Sequence, residues 1–204
     1  MTLVSNLSKK YLSPLLNKKG FTKTALAWKR NSGEFIHLVN IQRSKHNTPN
    51  VIRLTVNVGV FSPEAHFLIW NKKTRQSFIE ADCLVNERLG SISAIMKGEI
   101  GNDLWWELKS ERDVENAGNQ IVEMIEKYAL PFLEYVDSYE HVDEYIENKY
   151  SIRQLTGLTG LFAGFVKTKV GNQREAMNIL DSMIDSKNLA WADKAKEFKT
   201  VLLK

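Results

Sequence analysis

The sequence predicts an α+β fold: an N-terminal helix, an antiparallel meander sheet of about five strands, and a C-terminal helical region with a final helical hairpin. Three observations predict it. Apolar residues recur every four positions at the start of the chain, as on one face of a helix. Apolar and polar residues then alternate over 51–61, as in a strand with one buried face. Beyond residue 111 the helical spacing returns.

The first helix carries an apolar stripe that begins with Leu3 and Leu7. Pro14 interrupts this stripe, and the preceding Ser13 is a good N-cap, so the sequence indicates a helix that restarts there. The helix should end at Gly20, because glycine readily adopts the left-handed conformation that follows many helices.

Short polar turns separate the predicted strands, which favours antiparallel neighbours. Gly90 is interpreted as a break after the fourth strand, and a short helix over 64–70 precedes that strand. Cys83, the single cysteine, is interpreted as a small buried residue. The predicted strands are 25–30, 35–43, 51–61, 83–89 and 104–108.

The C-terminal half has helical spacing throughout, and its last two helices resemble one tetratricopeptide hairpin. Gly160 and Gly164 match no phosphate-binding loop and are interpreted as packing positions. We expect an α+β domain over 1–130 and a helical extension packed on it over 131–204, or one continuous domain. The predicted helices are 155–166, 175–184 and 191–203, after an acidic helical stretch that begins near 111.

The chain has neither a signal-peptide pattern nor an apolar run of about 20 residues, so we expect a cytoplasmic protein without a membrane partner. One cysteine and four scattered histidines give no metal-ligand spacing, and no cofactor motif is visible. We therefore expect no metal and no cofactor, and the oligomeric state is left open.

Charge is segregated along the chain. Residues 1–33 hold seven basic residues and no acidic one, whereas residues 111–147 hold eleven acidic and two basic residues. The net charge of the whole chain is only +4, which is a weak signal for nucleic-acid binding. The two segments are interpreted as solvated faces or as surfaces for different partners.

Two neighbouring strands place polar side chains on one face. If the apolar sides of 35–43 and 51–61 share the core, their polar side chains project together from the opposite face. This polar row could hold an anionic or amide-bearing ligand, or it could be a buried structural network. It lacks an acid or base that titrates near neutral pH. The row comprises Asn40, Gln42, Arg53, Thr55 and Asn57.

Three tryptophans are candidate interaction residues. Trp105 and Trp106 should point to opposite faces of a strand, so at least one of them belongs to the core. Trp28 precedes two basic residues, a combination that can stack on single-stranded nucleic acid.

Several segments, in order, resemble DUF4304, a bacterial family of domains of unknown function. They are Gly20-Phe21-Thr22-Lys23, Trp28, the LVNIQRS strand at 38–44, TVNVG at 55–59, Arg88-Leu89-Gly90 and Trp105-Trp106. The resemblance spans roughly 1–130 and implies a small bacterial α+β domain. It implies no catalytic residues.

Three functions are left open. The leading hypothesis is a non-catalytic binding protein with a protein partner, of which a toxin-neutralising immunity protein is one form. The second is a nucleic-acid or anion binder, which would use Lys9, Lys10, Lys18, Lys19, Arg30 and Arg53. The third is an enzyme that uses the polar row with an acid or base from the helical half.

Overall fold

The computed structural model describes residues 2–70, 78–99, 103–151, 154–186 and 188–202. The chain divides into two compact units. The first comprises Met1–Phe61 and Asn86–Tyr135, and the second comprises Ser62–Val85 and Val136–Lys204. The sequence suggests one division at 130, whereas the first unit ends at Tyr135 and an internal segment belongs to the second unit.

The first unit is built on an antiparallel sheet, as the sequence predicts. Its strands are β1 Thr22–Thr24, β2 Ala27–Ser32, β3 Phe35–Arg43, β4 Ile52–Phe61, β5 Val85–Arg88 and β6 Trp106–Leu108. Strands β1 to β4 form a meander, and β5 lies beside β4. In the described part of the chain β6 is a sixth strand, which pairs with the first residues of β4.

One face of this sheet forms the core of the first unit. The even positions of β4 from Leu54 to Val60 are fully buried. Val39 of β3 pairs with Val58, and Trp28 of β2 pairs with Val39, so the three side chains form a row across the face. Burying a large aliphatic side chain contributes about 1.5–3 kcal/mol, so this row is a main source of stability.

The N-terminal helix runs without a break from Leu3 to Lys18. It consists of α1 (Leu3–Leu7), a π-helical turn (Ser8–Leu12) and α2 (Ser13–Lys18). The restart expected at Ser13 is therefore a change of helix type. Pro14 has no backbone N–H and cannot form the helical hydrogen bond to the carbonyl four residues earlier. The wider π-helical turn before it accommodates the missing hydrogen bond. Gly20, with φ of 82°, follows the helix as predicted.

The strand predicted over 83–89 is shorter, and the break predicted at Gly90 is wrong. β5 ends at Arg88, and helix α4 (Leu89–Lys97) begins at the next residue. Gly90 is a buried position of that helix, which ends at Gly98 with φ of 70°. Of the predicted strand only Leu89 lies in α4, and the rest of this helix was not predicted.

A long helical segment completes the first unit. Helix α5 (Glu111–Met124) begins with a capping box, in which Ser110 Oγ accepts from the backbone N–H of Asp113. A second π-helical turn (Ile125–Ala129) and α6 (Leu130–Tyr135) follow. The helix continues past Pro131, which, like Pro14, is the second residue after a π-helical turn.

The second unit is helical in its described residues. Its helices are α3 Pro63–Trp70, α7 Tyr139–Lys149, α8 Gly157–Lys169, α9 Gln173–Ile184 and α10 Leu189–Leu202, with a 3₁₀ turn at Glu80–Asp82. Helix α9 packs against α8 and α10, forming the predicted final hairpin. Gly164 is a packing position, because a Cβ there would lie 3.1 Å from Leu180. No described helix is both long and apolar enough to cross a bilayer.

The N-terminal helix packs closely against α5 where Tyr11 faces Gly118. The ring of Tyr11 lies over Gly118, and a Cβ built on Gly118 would be 2.4 Å from Tyr11 Cγ. That separation is well inside van der Waals contact, so a residue without a side chain is required there.

We expect Gly118→Ala to lower the free energy of unfolding by about 1–3 kcal/mol, because the methyl group overlaps the Tyr11 ring. In a Tyr11→Ala background the same change should instead stabilise the helix by up to about 1 kcal/mol. Urea denaturation of the four chains measures this reversal of sign, and the same destabilisation in both backgrounds would contradict the contact.

Candidate functional site

The structure brings the polar row of Asn40, Gln42, Arg53, Thr55 and Asn57 to one face of the sheet. Asn40 pairs directly with Asn57, and Gln42 pairs with Thr55. Arg53 lies two residues before Thr55 on β4, so it projects to the same side. This face is opposite the apolar face that carries Val58.

The middle of the polar row is buried and hydrogen-bonded. Thr55 is 0% exposed and Asn57 is 2% exposed. Asn57 Nδ2 donates to Gln42 Oε1 at 3.1 Å, and Thr55 Oγ1 donates to the carbonyl of Leu104 at 2.9 Å. A ligand would have to displace these bonds, so the geometry favours a structural role in joining β3, β4 and the segment before β6.

The guanidinium group of Arg53 lies at the exposed end of the polar row. Its Nε lies 3.3 Å from Glu107 Oε1 on β6, and the two side chains are 48% and 47% exposed. The backbone N–H of Arg53 donates to Asn47 Oδ1 at 2.7 Å. The neighbouring carboxylate offsets the positive charge that an incoming anion would meet.

The three candidate tryptophans lie in different environments. Trp28 is fully buried and Trp106 is 6% exposed, so neither offers a ring to a partner. Trp105 is half-buried, and the Arg88 guanidinium carbon lies 5.0 Å from the centre of its ring. Hydrogen bonds from Arg88 and Trp105 lower the pKa of the Asp103 carboxyl. Trp105 is thus held in a local ion-pair cluster.

The N-terminal helix and the β1–β2 hairpin carry a surface rich in lysine, which we call the basic N-terminal surface. It comprises Lys9, Lys10, Lys18, Lys19 and Lys23. Lys23 is half-buried, and the other four are exposed. Within the described residues, one of the five forms an ion pair: Lys10 Nζ lies 3.7 Å from Glu111 Oε2, and both side chains are mostly exposed. Such a pair is weak.

The lysines of α8 and α10, in the second unit, are neutralised by neighbouring carboxylates. Lys169 Nζ lies 2.8 Å from Glu64, and Lys194 Nζ lies 3.0 Å from Glu197. Lys196 and Lys199 also face aspartates. The charges of the lysines on α8 and α10 are therefore balanced locally, whereas most of those on the basic N-terminal surface are not.

A buried lysine of the second unit, Lys167, lies at the centre of a cluster of three carboxylates. Lys167 is 2% exposed, and its Nζ lies 3.1 Å from Asp143 and from Glu175 and also contacts Glu147. Burial lowers the pKa of Lys167, but hydrogen bonds to three carboxylates outweigh it and raise that pKa above the ordinary value. Burial raises the pKa of the Asp143 carboxyl.

This lysine cluster joins three helices, since its carboxylates come from α7 and from the first turn of α9. The sequence suggests only a solvated acidic face at Asp143 and Glu147, because their partner Lys167 comes 24 and 20 residues later along the chain. The available signal was a lysine directly after the apolar run 155–166. Among the described residues, no group of three or more His, Cys, Asp or Glu is arranged to hold a metal ion.

A family model for a domain of unknown function (DUF4304) matches residues 12–135. The chain belongs to the DUF4304 family. The match ends at Tyr135, where the first unit of the structure also ends. The DUF4304 segment therefore includes the polar row, β6 and most of the basic N-terminal surface, together with residues 62–85 of the second unit. No curated protein and no solved structure matches the chain.

If the polar row is a structural network, Asn57→Ala and Gln42→Ala should each lower the free energy of unfolding by about 1–2 kcal/mol. The double variant should lose at least about 0.5 kcal/mol less than the sum, because both changes remove the same hydrogen bond. Urea denaturation measures this, with exposed Asn50→Ala as the control. Additive effects would show that the two side chains act separately.

Lys167→Met should lower the free energy of unfolding by about 3 kcal/mol, because three carboxylates would lose their shared cation. The partly exposed Glu147 and Glu175 can turn towards water, which keeps the loss at the lower end of the expected range. The matched control Lys196→Met removes an exposed pair with Asp193 and should cost under about 1 kcal/mol. Equal losses in the two variants would contradict a structural role for Lys167.

Proposed function

We propose that this chain is a non-catalytic binding protein whose basic N-terminal surface holds an acidic surface of a protein partner. The observation that carries the proposal is the contrast in ion pairing. Lys9, Lys18, Lys19 and Lys23 face no carboxylate within the described residues, whereas the described lysines of α8 and α10 do. Charge of one sign on a surface steers and selects partners of the opposite sign.

Two observations favour a protein partner over single-stranded nucleic acid. Nucleic-acid grooves combine cations with exposed aromatic rings on which bases stack. Phe21 and Trp28, next to the basic N-terminal surface, are 3% and 0% exposed, and the half-buried ring of Tyr11 packs over Gly118, so none of the three offers an open platform. The net charge of +4 is also small for a nucleic-acid binder.

The hydrogen bonding of the polar row supports the non-catalytic part of the proposal. Thr55 and Asn57 are buried and bonded to neighbouring groups, so they do not line an open pocket. A bacterial, cytoplasmic setting belongs to the same proposal: the family resemblance favours a bacterium, and a single buried cysteine, Cys83, fits a reducing compartment. Neutralising a toxin is one specific form of this function.

We expect the charge reversal Lys9→Glu/Lys10→Glu to reduce capture of the partner at least about tenfold, because attraction across the interface becomes repulsion. The measurement is affinity capture from nuclease-treated native lysate by the full chain, with the captured protein identified by mass spectrometry. The matched control is Arg43→Glu/Lys45→Glu, which reverses two exposed charges, one on the last residue of β3 and one just after it.

The proposal requires one protein that the wild type and the control capture and the Lys9/Lys10 variant does not. Equal capture by all three chains would overturn it. Capture that disappears on nuclease treatment, together with a mobility shift that weakens steeply with salt, would establish the nucleic-acid alternative instead.

A further inference from the structure

Lys23 differs from the other lysines of the basic N-terminal surface because its ammonium group is held in place. Its Nζ donates to Ser8 Oγ in the first π-helical turn and lies 5.2 Å from the centre of the Trp28 ring. Ser8 and Trp28 are 1% and 0% exposed, so a rigid wall fixes the lysine head. A donor fixed before binding loses less conformational entropy when a ligand arrives.

The charge on this ammonium group has no counter-ion nearby. Partial burial, together with the neighbouring charge of Lys9, lowers the pKa of Lys23 below the ordinary value of 10.5. Within the described residues, the one hydrogen bond that its Nζ makes goes to a neutral hydroxyl, that of Ser8. An ammonium group that is held in place without an acid beside it is a site that an anion would stabilise.

We propose that the ammonium group of Lys23, held in place by Ser8 and Trp28, binds one carboxylate side chain of the protein partner. This inference rests on the proposed function and names the contact through which it acts. Ser8 and Trp28 are positioning residues, since both are buried behind Lys23 and do not reach the ligand.

The arrangement suits a carboxylate better than a phosphate group. A carboxylate carries a single charge, which one ammonium group balances. Phosphate sites generally add an arginine fork or a series of backbone N–H groups. Arg30, the nearest arginine of the hairpin, is engaged elsewhere: its Nη1 donates to the carbonyl of Lys19 and its Nη2 contacts His37 Nδ1.

The direct test uses the full chain and a capped hexaglutamate peptide. Titration followed by NMR of the lysine side chains should show the pKa of Lys23 rising on binding, because a carboxylate favours the charged form. Lys23→Gln should weaken peptide binding about tenfold, the effect of losing one charge-assisted hydrogen bond. Lys23→Arg should restore most of it, and the control Lys45→Gln should leave it unchanged.

Every result of these experiments either supports or contradicts the binding of a carboxylate by Lys23. Equal peptide affinity in the wild type and Lys23→Gln, or an unchanged Lys23 pKa in the complex, would overturn the inference. Tighter, Lys23-dependent binding of inorganic phosphate would overturn it in favour of a phosphate ligand. If the partner is lost by Lys9→Glu/Lys10→Glu but fully retained by Lys23→Gln, the proposed function stands and this contact fails. If hexaglutamate binding depends on Lys23 as expected but no protein partner is captured, the carboxylate site is supported and the proposed function is contradicted.

Discussion

The antiparallel pairing of β3 with β4 decides which side chains of the first unit meet its core. In the antiparallel register, Asn40 lies opposite Asn57 and Val39 lies opposite Val58. Because neighbouring residues on a strand point to opposite faces, the two amides share one face and the two valines share the other. A slip of one residue would bring amides into the core and valines to the other face. The hydrogen bond between Asn57 and Gln42 works against such a slip, since it forms in one register only. Polar and apolar faces therefore specify the same pairing.

The antiparallel meander could be predicted because its information is local. Alternation over Ile52–Phe61 identifies the strand and its buried face without knowledge of its neighbours. Gly90 misled the prediction because glycine marks both chain breaks and close helix packing. Lys167 could not be assigned for a different reason. Its carboxylates lie 20 and 24 residues earlier and 8 residues later, and pairing at such separations depends on how helices pack.

The same limit applies to the candidate site. Sequence shows that residues 1–33 contain no acid, but it does not show whether acids from elsewhere reach their lysines. In the structure Glu111 reaches Lys10, whereas Lys23 meets Ser8 and Trp28 instead. The polar row shows the reverse case. Its members could be placed on one face from spacing alone, but their burial and mutual bonding depend on the tertiary structure.

The two π-helical turns have a consequence for how related chains should be compared. Each π-helical turn holds one residue more than an α-helical turn would. Compared with a helix that lacks this residue, the side chains after the turn are therefore rotated by about 100° around the helix axis. Insertion of one residue into an ancestral α-helix just before Pro14 would produce such a π-helical turn, and an insertion before Pro131 would produce the other. Homologues lacking that residue would present a different side of α2 to solvent. An alignment gap of one at Ser8–Leu12 would thus mark a change in which lysines share a surface with Lys9.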